Sequence, residues 1–254
     1  MRRRVRAFRK QSLEAFPALH FVGQPLTLPF MNSAIIVAAG VGSRMGAGVD
    51  KLFLEVAGRP VVGHTLQRFG EAAGIHEIIV VAREDQQATF EELLRALRLQ
   101  KPFRVVAGGK QRQDSVWNGL GALSPQSELV AIQDGARPCT SPEVIAATLE
   151  AARLTGAAVA AQRVSDTIKQ SDDGRVISQH LDRARLWSVQ TPQTFRVEVI
   201  RRALTAVRDR GLNVTDDTAA CETIGQAVQL VESLAPNPKV TVPADLAYVG
   251  MLLR

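Results

Sequence analysis

Short apolar runs rich in valine and isoleucine alternate along the chain with stretches in which apolar residues recur every three or four positions. Runs at Ala34–Ala39, Glu77–Ala82, Arg104–Ala107, Leu129–Gln133 and Ala157–Gln162 read as strands, and their near-continuous apolar character predicts a sheet buried on both faces. Between them, helical periodicity predicts crossover helices over Pro60–Ala72, Gln87–Leu99, Gln111–Leu123 and Pro142–Leu154. Pro60 and Pro142 then fall in a first helical turn, where a missing N–H does no harm. Such alternation implies an α/β fold, a mostly parallel twisted sheet with helices on both faces. The pattern breaks at about 162–189. There Asp166–Lys169, a turn at Ser171–Gly174, and Val176–Leu181 read as an extended hairpin, an arm spanning about 163–187. A two-stranded ribbon cannot bury itself, so the arm predicts packing against another chain, most simply a two-fold copy. Helical pattern returns at Val197–Arg208 and Asp216–Ile224, followed by a strand at Ala227–Val231 and a last helix opening at Pro243.

Length changes the picture little: 254 residues with 46% hydrophobic content can bury one full core, placed at 31–254, with residues 1–30 as an extension. No apolar run approaches the roughly 18 residues needed to cross a bilayer. Charge changes it more. The net +6 suggests nucleic-acid binding, yet residues 1–30 carry six basic residues against Glu14 alone, which leaves +1 for the rest. A nearly neutral body argues against a nucleic-acid face. The arginine-rich stretch fits a transit peptide or a basic arm, but Met31 stands directly before the first strand, and we expect it to be the native start, with 1–30 outside the domain or disordered. Cys139 and Cys221 are far apart and have no histidine at metal-ligand spacing, which fits reduced thiols in the cytoplasm.

The chemistry concentrates where the first predicted strand ends. Ala38-Ala39-Gly40-Val41-Gly42-Ser43-Arg44 runs from an apolar strand into a glycine-rich turn, and Lys51 follows Arg44 by seven residues. Small residues let backbone N–H groups approach a polyphosphate, and the two cations suit an anion or a transition state gaining charge. The segment lacks the G-K-[ST] of a P-loop, and Met45 stands where a dinucleotide fingerprint has its third glycine. Two further clusters follow strands on the same expected edge: Gly108-Gly109 after the third, and Asp134-Gly135-Ala136-Arg137-Pro138 after the fourth. Open α/β sheets bind ligands at strand C-terminal ends, so the three should converge.

Read in order, A-A-G-V-G-S-R-M-G with Lys51, G-G-K-Q-R-Q-D-S-V at 108–116, D-G-A-R-P at 134–138, D-T-I-K at 166–169, L-D-R at 181–183, T-P-Q-T-F at 191–195, T-D-D at 215–217 and P-K-V-T at 238–241 resemble the cytidylyltransferases that act on 2-C-methyl-D-erythritol 4-phosphate. The resemblance runs through most of 33–252. It implies a Rossmann-like nucleotidyltransferase fold, transfer of CMP from CTP to the sugar-alcohol phosphate, a magnesium ion, and a homodimer with no nucleic-acid or membrane partner. On the same resemblance, Arg44 and Lys51 are the catalytic cations. Ala38, Ala39, Gly40, Gly42, Gly108, Gly109, Asp114, Ser115, Asp134 and Gly135 hold the nucleotide, with Asp134 also the candidate metal ligand. Asp134, Arg137, Thr167, Arg183, Thr191, Thr215 and Lys239 hold the acceptor, Thr167 and Arg183 reaching in from a partner's arm. Asp50 departs from the pattern, standing where the family usually has proline, and Gly135 stands where alanine is usual. Two other readings compete: an enzyme of the same mechanism acting on ribitol 5-phosphate, and a nucleotide-binding module without catalysis.

Overall fold

The computed structural model describes residues 30–40 and 50–254 of the chain. Seven strands form one sheet: β1 (Met31–Val37), β4 (Glu77–Ala82), β5 (Phe103–Ala107), β6 (Ser127–Asp134), β7 (Ala157–Arg163), β10 (Trp187–Arg196) and β11 (Gln229–Glu232), in the order β11-β7-β10-β6-β1-β4-β5. Strand β1 pairs in parallel with both β4 and β6, and β4 with β5. The predicted parallel α/β sheet is therefore present, each of its five expected strands lying within a few residues of its predicted bounds.

Side chains alternate across the pleat, and the sequence fills both sides with apolar groups. Ala34, Ile36, Ile78 and Val80 enter one core with α1 (Val61–Glu71), α2 (Gln87–Ala96) and α4 (Pro142–Thr155). Ile35, Ile79, Val81 and Ile132 enter the other, against α3 (Arg112–Gly121), α5 (Val197–Asp209) and α6 (Asp217–Glu222). Helix α4 shows how local chemistry sets the ends. The Ser141 hydroxyl accepts the Val144 N–H, Pro142 occupies the first turn, and Gly156 ends the helix at φ 89°, a left-handed conformation that favours glycine. Helix α7 (Asp245–Leu252) closes the chain and contributes Val249 to the first core.

Two features escaped the sequence reading. Strand β10 lies antiparallel between β6 and β7, although Pro192 argues against an internal strand. The register shift between Val189 and Gln193 explains it, because the proline occupies an irregularity where no ladder bond is lost. A small hairpin, β2 (Glu55–Val56) with β3 (Arg59–Pro60), turns on Ala57 and Gly58, both at positive φ, and shifts Pro60 from the first turn of α1 to its N-cap. The expected arm is present as β8 (Lys169–Gln170) paired antiparallel with β9 (Gln179–His180). Val176 and Ile177 in its connection are 68% and 62% exposed. Among the described residues no helix is long and apolar enough to cross a membrane.

Candidate active site

The C-terminal ends of β1, β5 and β6 open on a cleft of about 260 Å³. Ala38, Ala39 and Gly40 line it just after β1, Gly109 and Lys110 from the β5–α3 turn, Ser115 from the first turn of α3, and Asp134, Gly135 and Ala136 from the end of β6. Lys51, Arg112 and Lys239 bring positive charge to its walls. The three clusters expected to converge do so on this edge. Gly42 and Arg44 lie outside the described residues.

The glycines at 108 and 109 are required by close approach. A Cβ on Gly108 would stand 2.4 Å from the Ala39 Cβ and 3.1 Å from the Ser115 Oγ, and one on Gly109 would stand 2.2 Å from the Asp114 Cβ. The turn is then fixed by polar contacts. Gly108 N–H donates to the Ala82 carbonyl at 2.7 Å, and Gly109 N–H donates to the Ser115 hydroxyl at 3.1 Å. That hydroxyl in turn donates to the Gln111 carbonyl at 3.2 Å, while the Asp114 carboxylate accepts the Gln111 N–H at 3.1 Å in a capping box. Asp114 thus supports the turn from behind, and Ser115, 3% exposed, sits at the cleft wall.

Asp134 is the charge centre. Lys239 Nζ lies 2.7 Å from its Oδ2, Arg137 Nε 3.7 Å from the same oxygen, and Arg112 Nε 3.7 Å from Oδ1. Burial pushes the Asp134 carboxyl up, but Lys239, Arg112 and Arg137 outweigh it and hold the group below its ordinary value. Its backbone N–H donates to the Thr191 hydroxyl at 3.1 Å, so Thr191, 3% exposed, sits behind Asp134 and braces the strand end. Arg137 donates to the Asn237 carbonyl at 2.6 Å, and burial pulls its pKa down. Lys51 Nζ donates to the Val240 carbonyl at 2.9 Å, and Val240 N–H donates to the Ala136 carbonyl. The segment 236–241 is in this way stitched across the cleft from Asp134 to Lys51.

A buried network lies beneath. Arg112 Nη1 meets Asp217 Oδ2 at 2.8 Å, so one guanidinium faces two carboxylates. Asp217 is 1% exposed, and burial raises its pKa against the pull of Arg112. Gln193 donates to the Asp216 carboxylate at 3.0 Å and accepts the Asp217 N–H at 3.0 Å, and Asn237 donates to the Thr191 carbonyl at 2.9 Å. Arg112, Gln193, Asp217 and Asn237 were not singled out from the sequence, although Arg112 stands within G-G-K-Q-R-Q-D-S-V, where a cation beside a glycine turn was a usable signal. Thr167 and Arg183 lie exposed on and beside the arm, with Arg183 donating to the Ser165 carbonyl, and Thr215 is exposed just before the α6 N-cap. None of these three lines the cleft of the single chain.

Such a cleft can bind a polyphosphate and stabilise charge gathered on it: cations on the walls, small residues on the floor, and one buried carboxylate holding the cations in place. Comparison with known proteins gives the family. The sequence model described as IspD, 2-C-methyl-D-erythritol 4-phosphate cytidylyltransferase, matches residues 32–254. The chain is 41% identical over 223 residues to 2-C-methyl-D-erythritol 4-phosphate cytidylyltransferase of Caldanaerobacter subterraneus subsp. tengcongensis, covering 87% of this chain and 98% of that protein. Identity is also 41% over 220 residues to the protein of that name from Geobacillus kaustophilus, with 87% and 96% covered. The crystal structure of 4-diphosphocytidyl-2C-methyl-D-erythritol synthase from Anaerococcus prevotii superposes with a TM-score of 0.79 at 32% identity, covering 88% of this chain and 96% of that one. That of the Thermus thermophilus cytidylyltransferase gives 0.71 at 32% identity, covering 88% and 98%. With its sheet, its glycine turns and its cation-ringed Asp134 in hand, the chain belongs to the 2-C-methyl-D-erythritol 4-phosphate cytidylyltransferase family of nucleotidyltransferases.

Proposed function

We propose that this cleft transfers CMP from CTP to 2-C-methyl-D-erythritol 4-phosphate, giving 4-diphosphocytidyl-2-C-methyl-D-erythritol and pyrophosphate, a step of isoprenoid precursor synthesis. The observation that carries the reading is the placement of Lys51, Arg112 and Lys239 around a floor of small residues at the sheet edge. An oxygen of the acceptor phosphate forms the new bond to the α-phosphorus, and the bond between that phosphorus and the β-bridging oxygen breaks as pyrophosphate leaves. Two anions must approach, so fixed cations and alignment matter more than any nucleophilic side chain. Lys51, together with Arg44, would meet the triphosphate and the charge that develops at the transferred phosphorus. The turn at Gly108 and Gly109 would admit the cytosine edge to backbone groups, and Ser115 would meet the nucleotide.

Asp134 is the one carboxylate among the described residues that line the cleft, and no group of three or more acidic, histidine or cysteine side chains is gathered there. That donor set fits a magnesium ion carried in on the triphosphate, with Asp134 as its protein ligand, rather than a cage built wholly from protein. Bound there, magnesium would neutralise phosphate charge. Lys239 and Arg137, held against Asp134, would receive the acceptor phosphate with Thr191 and Thr215. Thr167 and Arg183 would join them from the arm of a second copy, and the exposed Val176 and Ile177 give that arm an apolar face for a homodimer in the cytoplasm.

The test is pyrophosphate release by the full chain with CTP and magnesium, offering 2-C-methyl-D-erythritol 4-phosphate and ribitol 5-phosphate separately. Strong preference for the first supports the reading; preference for the second, or silence with both, overturns it.

A further inference from the structure

The residue before Lys51 is bonded through each of its three oxygens. The Asp50 carbonyl accepts the Phe53 N–H at 3.1 Å, and its Oδ1 accepts the Leu52 N–H at 3.0 Å. Its Oδ2 accepts from Arg83 Nη1 at 3.2 Å and from Gln86 Nε2 at 2.5 Å. Arg83 and Gln86 flank and end the short 3-10 turn at Glu84–Gln86 that follows β4, so the carboxylate ties the Lys51 turn to the edge of the main sheet. On its other side Leu52 is 4% exposed, and its carbonyl accepts the Val62 N–H at 3.0 Å in the first turn of α1. Lys51 is therefore the residue between two anchors, and its ammonium crosses to the Val240 carbonyl on the far wall of the cleft.

We propose that Asp50 is a positioning residue for Lys51, its carboxylate clamp with Arg83 and Gln86 fixing the backbone from which the ammonium reaches the transferred phosphate. The inference rests on the reading of Lys51 given above. A proline would stiffen this turn by fixing φ. Here a side chain does so through partners in the turn that follows β4, and that makes the device separable by mutation. A displaced cation loses much of its effect on a developing charge, and misplacement by about 1 Å costs on the order of a hundredfold. Loss of one of two anchors should cost less, about tenfold in kcat.

The experiment is a double-mutant cycle in pyrophosphate release with Asp50→Ala, Lys51→Ala and the pair. The clamp predicts that Asp50→Ala lowers kcat about tenfold when Lys51 is present and less than about twofold when Lys51 is already alanine. The same loss in both backgrounds, or none with Lys51 present, overturns the inference while leaving the role of Lys51 standing. An undiminished Lys51→Ala enzyme overturns that role and the inference with it. Should Asp50→Ala fail to fold, Asp50→Asn keeps the acceptor for Leu52 but removes the charge facing Arg83. A loss of about threefold that vanishes in the Lys51→Ala background supports the clamp, and an additive loss overturns it.

Discussion

Gly108→Ala adds a single methyl group at the point where the β5–α3 turn crosses the end of β1. The new Cβ would stand 2.4 Å from the Ala39 Cβ, against the 3.5–4.0 Å at which two carbons rest, so the backbones must part by roughly 1 Å or more. Neither neighbour can yield cheaply. Ala39 has no rotamer to change, and the Ser115 Oγ at 3.1 Å is held by Gly109 and Gln111. Overpacking of this kind costs about 1–3 kcal/mol. The same shift carries the cleft-lining turn out of place, for which a hundredfold loss of turnover is the right order. Gly121→Ala is the matched control: its Cβ would meet nothing within 4 Å, and replacing glycine at the end of α3 should leave turnover unchanged. Steady-state kinetics and urea unfolding of both variants check the pair. A Gly108→Ala protein with parental kcat, KM for CTP and stability would refute the close-packing argument.

Other consequences follow from the buried charges and thiols. Asp217→Ala strands the Arg112 guanidinium beside Asp134 alone and should cost about 3 kcal/mol in urea unfolding, the range for breaking a buried pair, whereas Asp217→Asn retains an acceptor and should cost less. Because Asp134 titrates below its ordinary value, it adds stability that is present above pH ~4 and is lost as pH falls from there through the folded-state value; Asp134→Asn should flatten the fall of the unfolding midpoint below pH ~4. Burial pushes the thiol of Cys139 up to about 11 and that of Cys221 to about 12, so iodoacetamide at neutral pH should leave both unmodified in the folded protein, as mass spectrometry would show.

The sheet was legible because its central parallel strands are apolar on both faces: Ile78–Ala82 or Val130–Ile132 has no other way to be buried. Strand β10 was not, since Pro192 and the polar run Ser188–Thr194 break every local strand rule, and only its place between β6 and β7 makes it one. The site divides the same way. Glycine turns and strand-end Asp134 announce themselves by position in sequence, because the fold delivers strand ends to one edge. Arg112 had only its place beside a glycine turn, and Asp217, Gln193 and Asn237 carry no such mark. Their meaning lies in a network joining residues tens of positions apart, and long-range polar pairing leaves no periodicity to read. Asp50 was visible as an oddity, but its partners Arg83 and Gln86 were not.

The central claim, that the cleft around Lys51 and Asp134 performs the transfer, is tested most directly by following the phosphorus resonances of CTP and 2-C-methyl-D-erythritol 4-phosphate in the presence of magnesium, with the parent chain and with Lys51→Ala. The account predicts that CTP and acceptor signals decay together into a new diphosphate and pyrophosphate, and that the Lys51→Ala protein does so on the order of a hundredfold more slowly while folding normally. Conversion at the parental rate by the Lys51→Ala protein, or CTP loss without a new diphosphate, would contradict it.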